Sequence, residues 1–431
     1  MAKSKRHIKL GKSGCSCSMP GVWRAVAYNA GAVVIFHSPK ACGHVSREMD
    51  LGMHFRAVAQ QQFVPGQYTA PLIVSGLQEE HSIFGGTEQL RQCIDYVIAR
   101  YKPEYIVIAN SCVAGVIGDD AQAVAGDAEQ KWNIPIMAVP CYGFLDGDYY
   151  TGFYHASRVL IERLMVSKPT IKNTVTLLSN RGGLNESDVQ EMKQLLYYFG
   201  LQIHCQFPTY ATVEDIQRVS SSALCVLLGS TNQSYPWLRK IGTDLQERFG
   251  VPFFDSEYPA GWQNTKVWLT NMGQLLQQES QAKLAVKEQE IRLKQQLTQF
   301  GQKMKAKRTV LCIGRPLLYF NPTWVLELFA LSGAALEGII LLPELTGQQQ
   351  EAMQQELAKQ SGVPVFRQNE GDTMLEAADI VLTTHELADT GKRQLFLPLL
   401  LPVGVSGLIM VMHKIIRLAE RRGVRGGIVY V

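Results

Sequence analysis

Short apolar runs separated by longer amphipathic stretches recur along the chain, and they fall into three sets. The first is Ala32–Phe36, Leu72–Ser75, Tyr105–Ala109 and Ile136–Val139. The second is Val175–Leu178, Gln202–Gln206, Leu224–Leu228 and Pro252–Phe254; the third is Val310–Ile313, Gly338–Leu342, Pro364–Arg367 and Ile380–Thr383. Apolar runs of this length alternating with helical patterns predict βα units and parallel sheets. Each run tends to end in Gly, Ser, Asn or Pro, where a loop leaves the carboxyl edge of a sheet. The pattern predicts three comparable α/β domains, over residues 1–168, 169–272 and 308–431. Between the second and third lies a polar stretch, residues 273–307, rich in Gln, Lys and Glu. Leu276, Leu284, Ile291, Leu293 and Leu297 give it a loose helical stripe. That stripe predicts one or two long helices bridging domains and is too irregular for a coiled coil.

Composition narrows the class. A chain of 431 residues is too long for one ordinary core. An apolar share of 46% with 19% charged residues is that of a soluble globular protein. The net charge of +4 arises largely from Lys and Arg in the first dozen and last twenty residues. Neither end alternates bases with aromatics, so no nucleic-acid partner is expected. The start, Met1-Ala-Lys-Ser-Lys-Arg-His7, has no apolar stretch behind it and does not read as a signal peptide. The longest apolar run, Leu395 to Val405, is broken by prolines and a glycine and is too short to span a membrane. No membrane contact and a cytoplasmic location are expected.

Nine cysteines would mostly stay thiols in a reducing compartment. Cys205, Cys225 and Cys312 lie in apolar strand runs and Cys93 in a helical pattern, where cysteine packs as a small apolar residue. Cys141 follows the strand end at Val139-Pro140 and stays a candidate functional residue. Three others each adjoin a glycine-bearing turn: Cys17-Ser-Met-Pro-Gly21, His37-Ser-Pro-Lys-Ala-Cys42-Gly43 and Asn110-Ser-Cys112-Val-Ala-Gly115-Val-Ile-Gly118-Asp119-Asp120. They stand 25 and 70 residues apart, with no CxxC pair, so neither a zinc ribbon nor a thioredoxin-type motif fits. Cys42 and Cys112 follow the first and third strand runs, on the edge where open α/β sheets gather their ligands. The segment carrying Cys17 precedes the first strand and can cross that edge, and Cys15 competes with Cys17 for the same role. The pattern points to thiolate ligation of an iron–sulfur cluster. A closed [4Fe–4S] site takes four such ligands, so a partner chain must complete it. Gly21, Gly43 and Gly115 let backbone approach a bulky inorganic core, and turn amides can donate to its sulfides. Asp119 and Asp120 read as capping groups at a helix start. His37 reads as a turn residue hydrogen-bonded to the backbone, His44 as a candidate proton shuttle and His385 as a loop residue at a sheet edge.

These segments resemble nitrogenase component 1 and its relatives. Cys112-Val-Ala-Gly-Val-Ile-Gly-Asp-Asp120 is similar to that family's cysteine-plus-IGDD segment, and His37-Ser-Pro-Lys-Ala-Cys42 to its HGPxxC turn, with Ser38 where glycine is usual. Glu80-His-Ser-Ile-Phe-Gly-Gly-Thr-Glu-Gln-Leu90 is similar to its IFGG segment, and Phe249-Gly-Val-Pro-Phe-Phe254 to a strand of its second domain. The resemblance is strongest from residue 17 to 165 and thin beyond 300. It implies three Rossmann-like, doubly wound parallel-sheet domains and pairing with a homologous component 1 subunit. It also implies an interfacial cluster, [4Fe–4S] or [8Fe–7S], held by Cys17, Cys42 and Cys112 with Gly43 and Gly115 beside it. Electrons would come from a separate ATP-hydrolysing iron protein, and no GxxxxGK[ST] phosphate loop is present in this chain. Ungapped counting places Ser234 and Val403 where the α-type subunit has the cysteine and histidine that hold its large cofactor. The chain therefore reads as β-type or scaffold-type. The leading function is an iron–sulfur redox subunit of a nitrogenase-like two-component reductase, and the alternative is a subunit of a cofactor-assembly scaffold. A cluster-free binding protein with core cysteines is the third reading, and it would be colourless. Across the family the substrates include dinitrogen, tetrapyrrole double bonds and methylthio compounds.

Overall fold

The computed structural model describes residues 17–48, 69–179, 187–229, 234–387, 391–397, 403–421 and 427–430. Cys15 and part of the Leu395–Val405 run lie outside the described residues. The first sheet comprises β1 (Ala32–His37), β2 (Leu72–Val74), β3 (Tyr105–Asn110) and β4 (Ile136–Tyr142), in the order β2-β1-β3-β4. Each neighbouring pair is parallel. Its helices are α1 (Met19–Val26), α2 (residues 40–48), α3 (His81–Phe84), α4 (Thr87–Tyr101), α5 (Cys112–Ile117), α6 (Ala121–Trp132) and α7 (Tyr149–Leu164). All six side chains of β1 are buried. Val33 and Ile35 enter one core while Val34 and Phe36 enter another, as the two-residue period of a doubly covered strand requires.

The second sheet repeats the pattern. Strands β5 (Ile171–Ser179), β6 (Gln202–Pro208), β7 (Ser222–Leu228) and β8 (Phe253–Phe254) lie in the order β6-β5-β7-β8, with α8 (Ser187–Tyr197), α9 (Val213–Arg218) and α10 (Tyr235–Phe249). Helices α11 (Gly261–Leu276) and α12 (Glu279–Met304) then lead into the third sheet. That sheet has six strands, β9 (Thr309–Ile313), β10 (Leu336–Leu341), β11 (Val365–Arg367), β12 (Ile380–Thr383), β13 (Arg393–Phe396) and β14 (Gly427–Tyr430). Their order, β11-β10-β9-β12-β13-β14, is that of a doubly wound Rossmann sheet. Helices α13 (Thr323–Ser332), α14 (Gly347–Ser361), α15 (Gln368–Ala377) and α16 (Gly404–Glu420) complete this part. All twelve anticipated strands are present, and β13 and β14 are additional. Leu395 and Phe396, where the longest apolar run begins, end a short strand, and no helix among the described residues is long and apolar enough to cross a membrane.

Two cores join the three sheets. One packs α1 and α7 with one face of the first sheet against Leu178, Phe207 and Leu227 of the second. The other packs Val175, Leu177 and Val226 with α11, α12, α16 and the third sheet. Asn29, fully buried after α1, spans the first junction: its Nδ2 donates to the Pro208 carbonyl at 2.8 Å and its Oδ1 accepts from the Ala211 amide at 3.0 Å.

Candidate functional site

His37 and Asn110 are paired in register at the ends of β1 and β3, so the two following turns leave from one edge. Cys42 lies in the first turn of α2, its amide donating to the Pro39 carbonyl at 3.2 Å. Cys112 opens α5, where the Ser111 hydroxyl caps the helix by accepting from the Ala114 amide at 3.2 Å. Cys17 precedes α1, and the neighbouring Ser18 amide and hydroxyl both donate to the Gly143 carbonyl at 3.1 Å. Gly143, at φ +58° just beyond β4, sits so close to Cys112 that a Cβ there would lie 2.8 Å from the Cys112 amide nitrogen. The Cys17 segment and the Cys112 turn therefore meet at Gly143. Glycines also set the crossing of α1 and α7, since a Cβ on Gly21 or Gly152 would fall within 2 Å of the facing backbone oxygen. Gly43 closes α2 onto Val74, and Gly115 closes α5 onto Tyr142 and Leu145.

Cys17, Cys42 and Cys112 are half-buried, while the other five described cysteines are buried. Burial pushes the thiols of Cys93 and Cys205 up to about 11 and those of Cys141 and Cys312 up to about 12, so they remain protonated. Cys225, fully enclosed, is raised further. Cys141 lies inside β4 and not beyond its end. Burial also raises Cys42, offset by a hydrogen bond from Ser38, and the charge of nearby Cys112 adds to the rise. Among the described residues no three His, Cys, Asp or Glu side chains stand close enough to hold a single metal ion. The three half-buried thiols instead form an open, soft-donor edge, the donor chemistry that suits an iron–sulfur core.

Beneath the edge lies a buried polar network that sequence reading missed. His37 is fully buried, and its Nε2 lies 2.9 Å from Asp119 Oδ2 while Nδ1 lies 3.0 Å from the Ser75 hydroxyl. Asp119 Oδ1 accepts from the Gly86 amide at 2.8 Å. The carboxylate can only accept, which assigns the imidazole proton to Nε2 and makes Nδ1 the acceptor from Ser75. Ser75 Oγ in turn accepts from the Ser38 amide at 3.2 Å. Burial outweighs Asp119 and holds His37 below the usual histidine value. Ser75, His37 and Asp119 have the residue types of a hydrolase triad, but Ser75 is 4% exposed and its hydroxyl is engaged on both sides, so it presents no nucleophile. The expected backbone role of His37 is thus replaced by side-chain partners. Asp120 does cap α6, accepting from the Ala123 amide at 2.9 Å, whereas Asp119 is part of the network. His44 is exposed, and His385 contacts Thr384 Oγ1 at 3.1 Å beyond β12.

Large apolar side chains are exposed among polar ones on the segments that leave this edge. Phe84 is 85% exposed, Ile83 and Val116 each 78%, and Val45, Phe144 and Leu145 more than half. Six large exposed apolar side chains on helices and turns at one sheet edge are a feature that suits a protein contact.

Residues 17–404 match the family model described as nitrogenase component 1 type oxidoreductase. The chain belongs to this family of oxidoreductases. Among its curated relatives, NifE of Clostridium pasteurianum, a nitrogenase iron-molybdenum cofactor biosynthesis protein, is 27% identical over 242 residues, 55% of this chain and 51% of that one. The nitrogenase molybdenum-iron protein alpha chain of Methanosarcina barkeri is 23% identical over 246 residues, 56% of this chain and 45% of the relative. The chain thus spans about half the length of the curated relatives it matches. In fold it is similar to the solved structure titled nitrogenase Cp1 at pH 5, with a TM-score of 0.64 and 17% identity over 94% of this chain and 88% of that one.

Ser234 and Val403, near which ungapped counting sets the α-type cofactor ligands of the family, do not fit a soft metal. Ser234 is the buried residue before α10, and Val403 is the buried residue before α16. The α16 start is filled from within the chain: Val403 donates its amide to Asp188 Oδ1 at 3.2 Å, and Ser406 donates its amide to Glu191 Oε1 at 3.0 Å. The Ser406 hydroxyl also bonds Glu191 Oε2. Hydroxyl, alkyl and paired carboxylate groups offer no thiolate or imidazole there.

Proposed function

We propose that this chain is the iron–sulfur subunit of a nitrogenase-like two-component reductase. Cys17, Cys42 and Cys112 would hold one side of a [4Fe–4S] or [8Fe–7S] cluster, with Gly43 and Gly115 closing the turns beside it. A homologous component 1 subunit would supply the other side, and an ATP-hydrolysing iron protein the electrons. The observation that carries this reading is that three half-buried thiols lie on segments gathered at one sheet edge, where large apolar side chains are also exposed. A bound cluster would supply low-potential one-electron chemistry. The chain's own part is to present thiolates from three turns, to exclude water with Ile83, Phe84 and Val116 once a partner covers them, and to brace the turns from below through His37 and Asp119.

A cofactor-assembly scaffold is the second reading. It is favoured by the NifE relatives and by the missing soft ligands at Ser234 and Val403. Either way the cluster comes first. Protein purified without oxygen, alone and with a homologous partner, should carry about four or eight irons per interface, and Cys112→Ala should lose them. Colourless, iron-free protein in both preparations would sink both readings. If iron is present, turnover with iron protein and ATP would separate a reductase from a scaffold.

A further inference from the structure

Three segments far apart in the chain close on one buried carboxylate. Asp119 lies seven residues beyond Cys112, His37 five residues before Cys42, and Gly86 two residues beyond the exposed Phe84. Asp119 accepts from His37 Nε2 at 2.9 Å and from the Gly86 amide at 2.8 Å. The fit around it is tight: a Cβ on Gly86 would lie 2.6 Å from Asp119 Oδ2 and 3.2 Å from His37 Cε1. Ser75 ties the same imidazole to the end of β2, and Gln89 of α4 donates to the Ser75 carbonyl at 2.7 Å. Besides the local bonds of each turn, α3, the end of α5 and the α2 turn thus share one buried hydrogen-bonded unit. A buried donor or acceptor that loses its partner costs more than the bond itself contributes, so such a network moves as a block or not at all.

We propose that His37 and Asp119, closed by the Gly86 amide, are positioning residues that couple the exposed Ile83–Phe84 segment to the Cys42 and Cys112 turns. A partner pressing on Ile83 and Phe84 displaces Gly86, Gly86 moves the carboxylate, and the carboxylate moves both thiol-bearing turns together. The α3 segment is then a lever as well as a contact. This inference rests on reading Cys42 and Cys112 as the functional thiols, but its test does not need the cluster.

Iron-free protein would be treated with iodoacetamide and the rate at each cysteine followed by mass spectrometry. Asp119→Asn is nearly isosteric but reverses the hydrogen-bonding demand on His37 Nε2. Gly86→Ala leaves both partners intact, and its backbone, at φ −110°, accepts a side chain; the new methyl presses on Leu77 Cδ2, at 2.3 Å, as well as on the carboxylate, so Asp119→Asn is the more specific of the two changes. Each change should raise the rates at Cys42 and Cys112 about fivefold or more, the factor that accompanies loss of one net hydrogen bond. The double variant should exceed neither single one by much, because both act on one unit. Rates at buried Cys205 and Cys225 should stay unchanged, since these report opening of the whole chain. The inference is overturned by unchanged rates at Cys42 and Cys112 in either folded variant, or by a rise at Cys205 and Cys225 in proportion. Should Gly86→Ala fail to fold, Asp119→Asn decides on the same rates. Iron-free wild type in the earlier experiment would remove the cluster reading and leave this one standing.

Discussion

His37 is built into the first domain as a neutral imidazole. Its value lies below the usual 6.5 because burial outweighs the Asp119 carboxylate, with His81 adding a smaller lowering. The unfolded chain therefore binds the proton more readily than the folded one. Stability from this site is fully present above about pH 6.5 and is lost as pH falls through that value towards the folded one. Wild type should show a falling urea midpoint over this window, and His37→Gln should flatten part of the slope. Slopes that superimpose would mean the imidazole titrates alike in the folded and unfolded chain. His155, His204 and His385 are lowered by burial as well, so a residual slope in the variant is expected. The same network marks the limit of what the sequence made legible at the site. Cys17, Cys42 and Cys112 could be singled out from the glycine turns beside them, which is local information. Asp119 could be read only as a cap, because its partner His37 lies 82 positions away and nothing local encodes that pairing. A single adjacent aspartate, Asp120, satisfies the cap, and that redundancy was the one available signal that Asp119 has another task.

Strands were legible where both faces are buried and obscure where polar residues or chain position broke the pattern. β1 and β3 read clearly because every side chain is enclosed. β13 begins with Arg393 and Gln394, and β14 belongs to a basic, glycine-rich tail, so neither gives an apolar run of strand length. Two elements carry sharper expectations. The start of α16 depends on Glu191, which serves the Ser406 amide and hydroxyl, while Gly404 at φ +65° leaves room for it. Glu191→Ala removes a charged acceptor from a helix N-terminus and strands both donors, which should cost about 2–3 kcal/mol in denaturant unfolding. A loss under about 0.5 kcal/mol would show that water takes the carboxylate's place. α3 is the opposite case, an element with no buried side chain. Phe84→Ser should leave the chain's own melting point within about 1 °C, since the ring makes no core contact, while weakening capture by a homologous partner about thirtyfold, as loss of an aromatic anchor does. Undiminished capture would place the partner elsewhere.

At the scale of the whole molecule the three sheets are not independent. The second sheet contributes one face to the core of the first and the other face to the core of the third. A multidomain chain ordinarily melts in separable steps, but here removing the middle sheet would expose both shared cores at once. Phe300 on α12 tests this, because it is fully buried, stacks edge-on against Phe329 of α13 at 5.8 Å, and lies in the core common to the second and third sheets. Phe300→Ala should cost about 3–5 kcal/mol. If that core is one cooperative unit, amide exchange measured in β5 and β9 should speed up by the same factor, although only β9 belongs to the sheet that α13 covers. Acceleration confined to β9 would mean that the third sheet opens alone and that the junction is a contact between separate folding units. Equal acceleration would tie the second sheet to the third as one unit. The second sheet would then hold the first and third in fixed relation through buried apolar surface, with Asn29 as the polar key at the first junction.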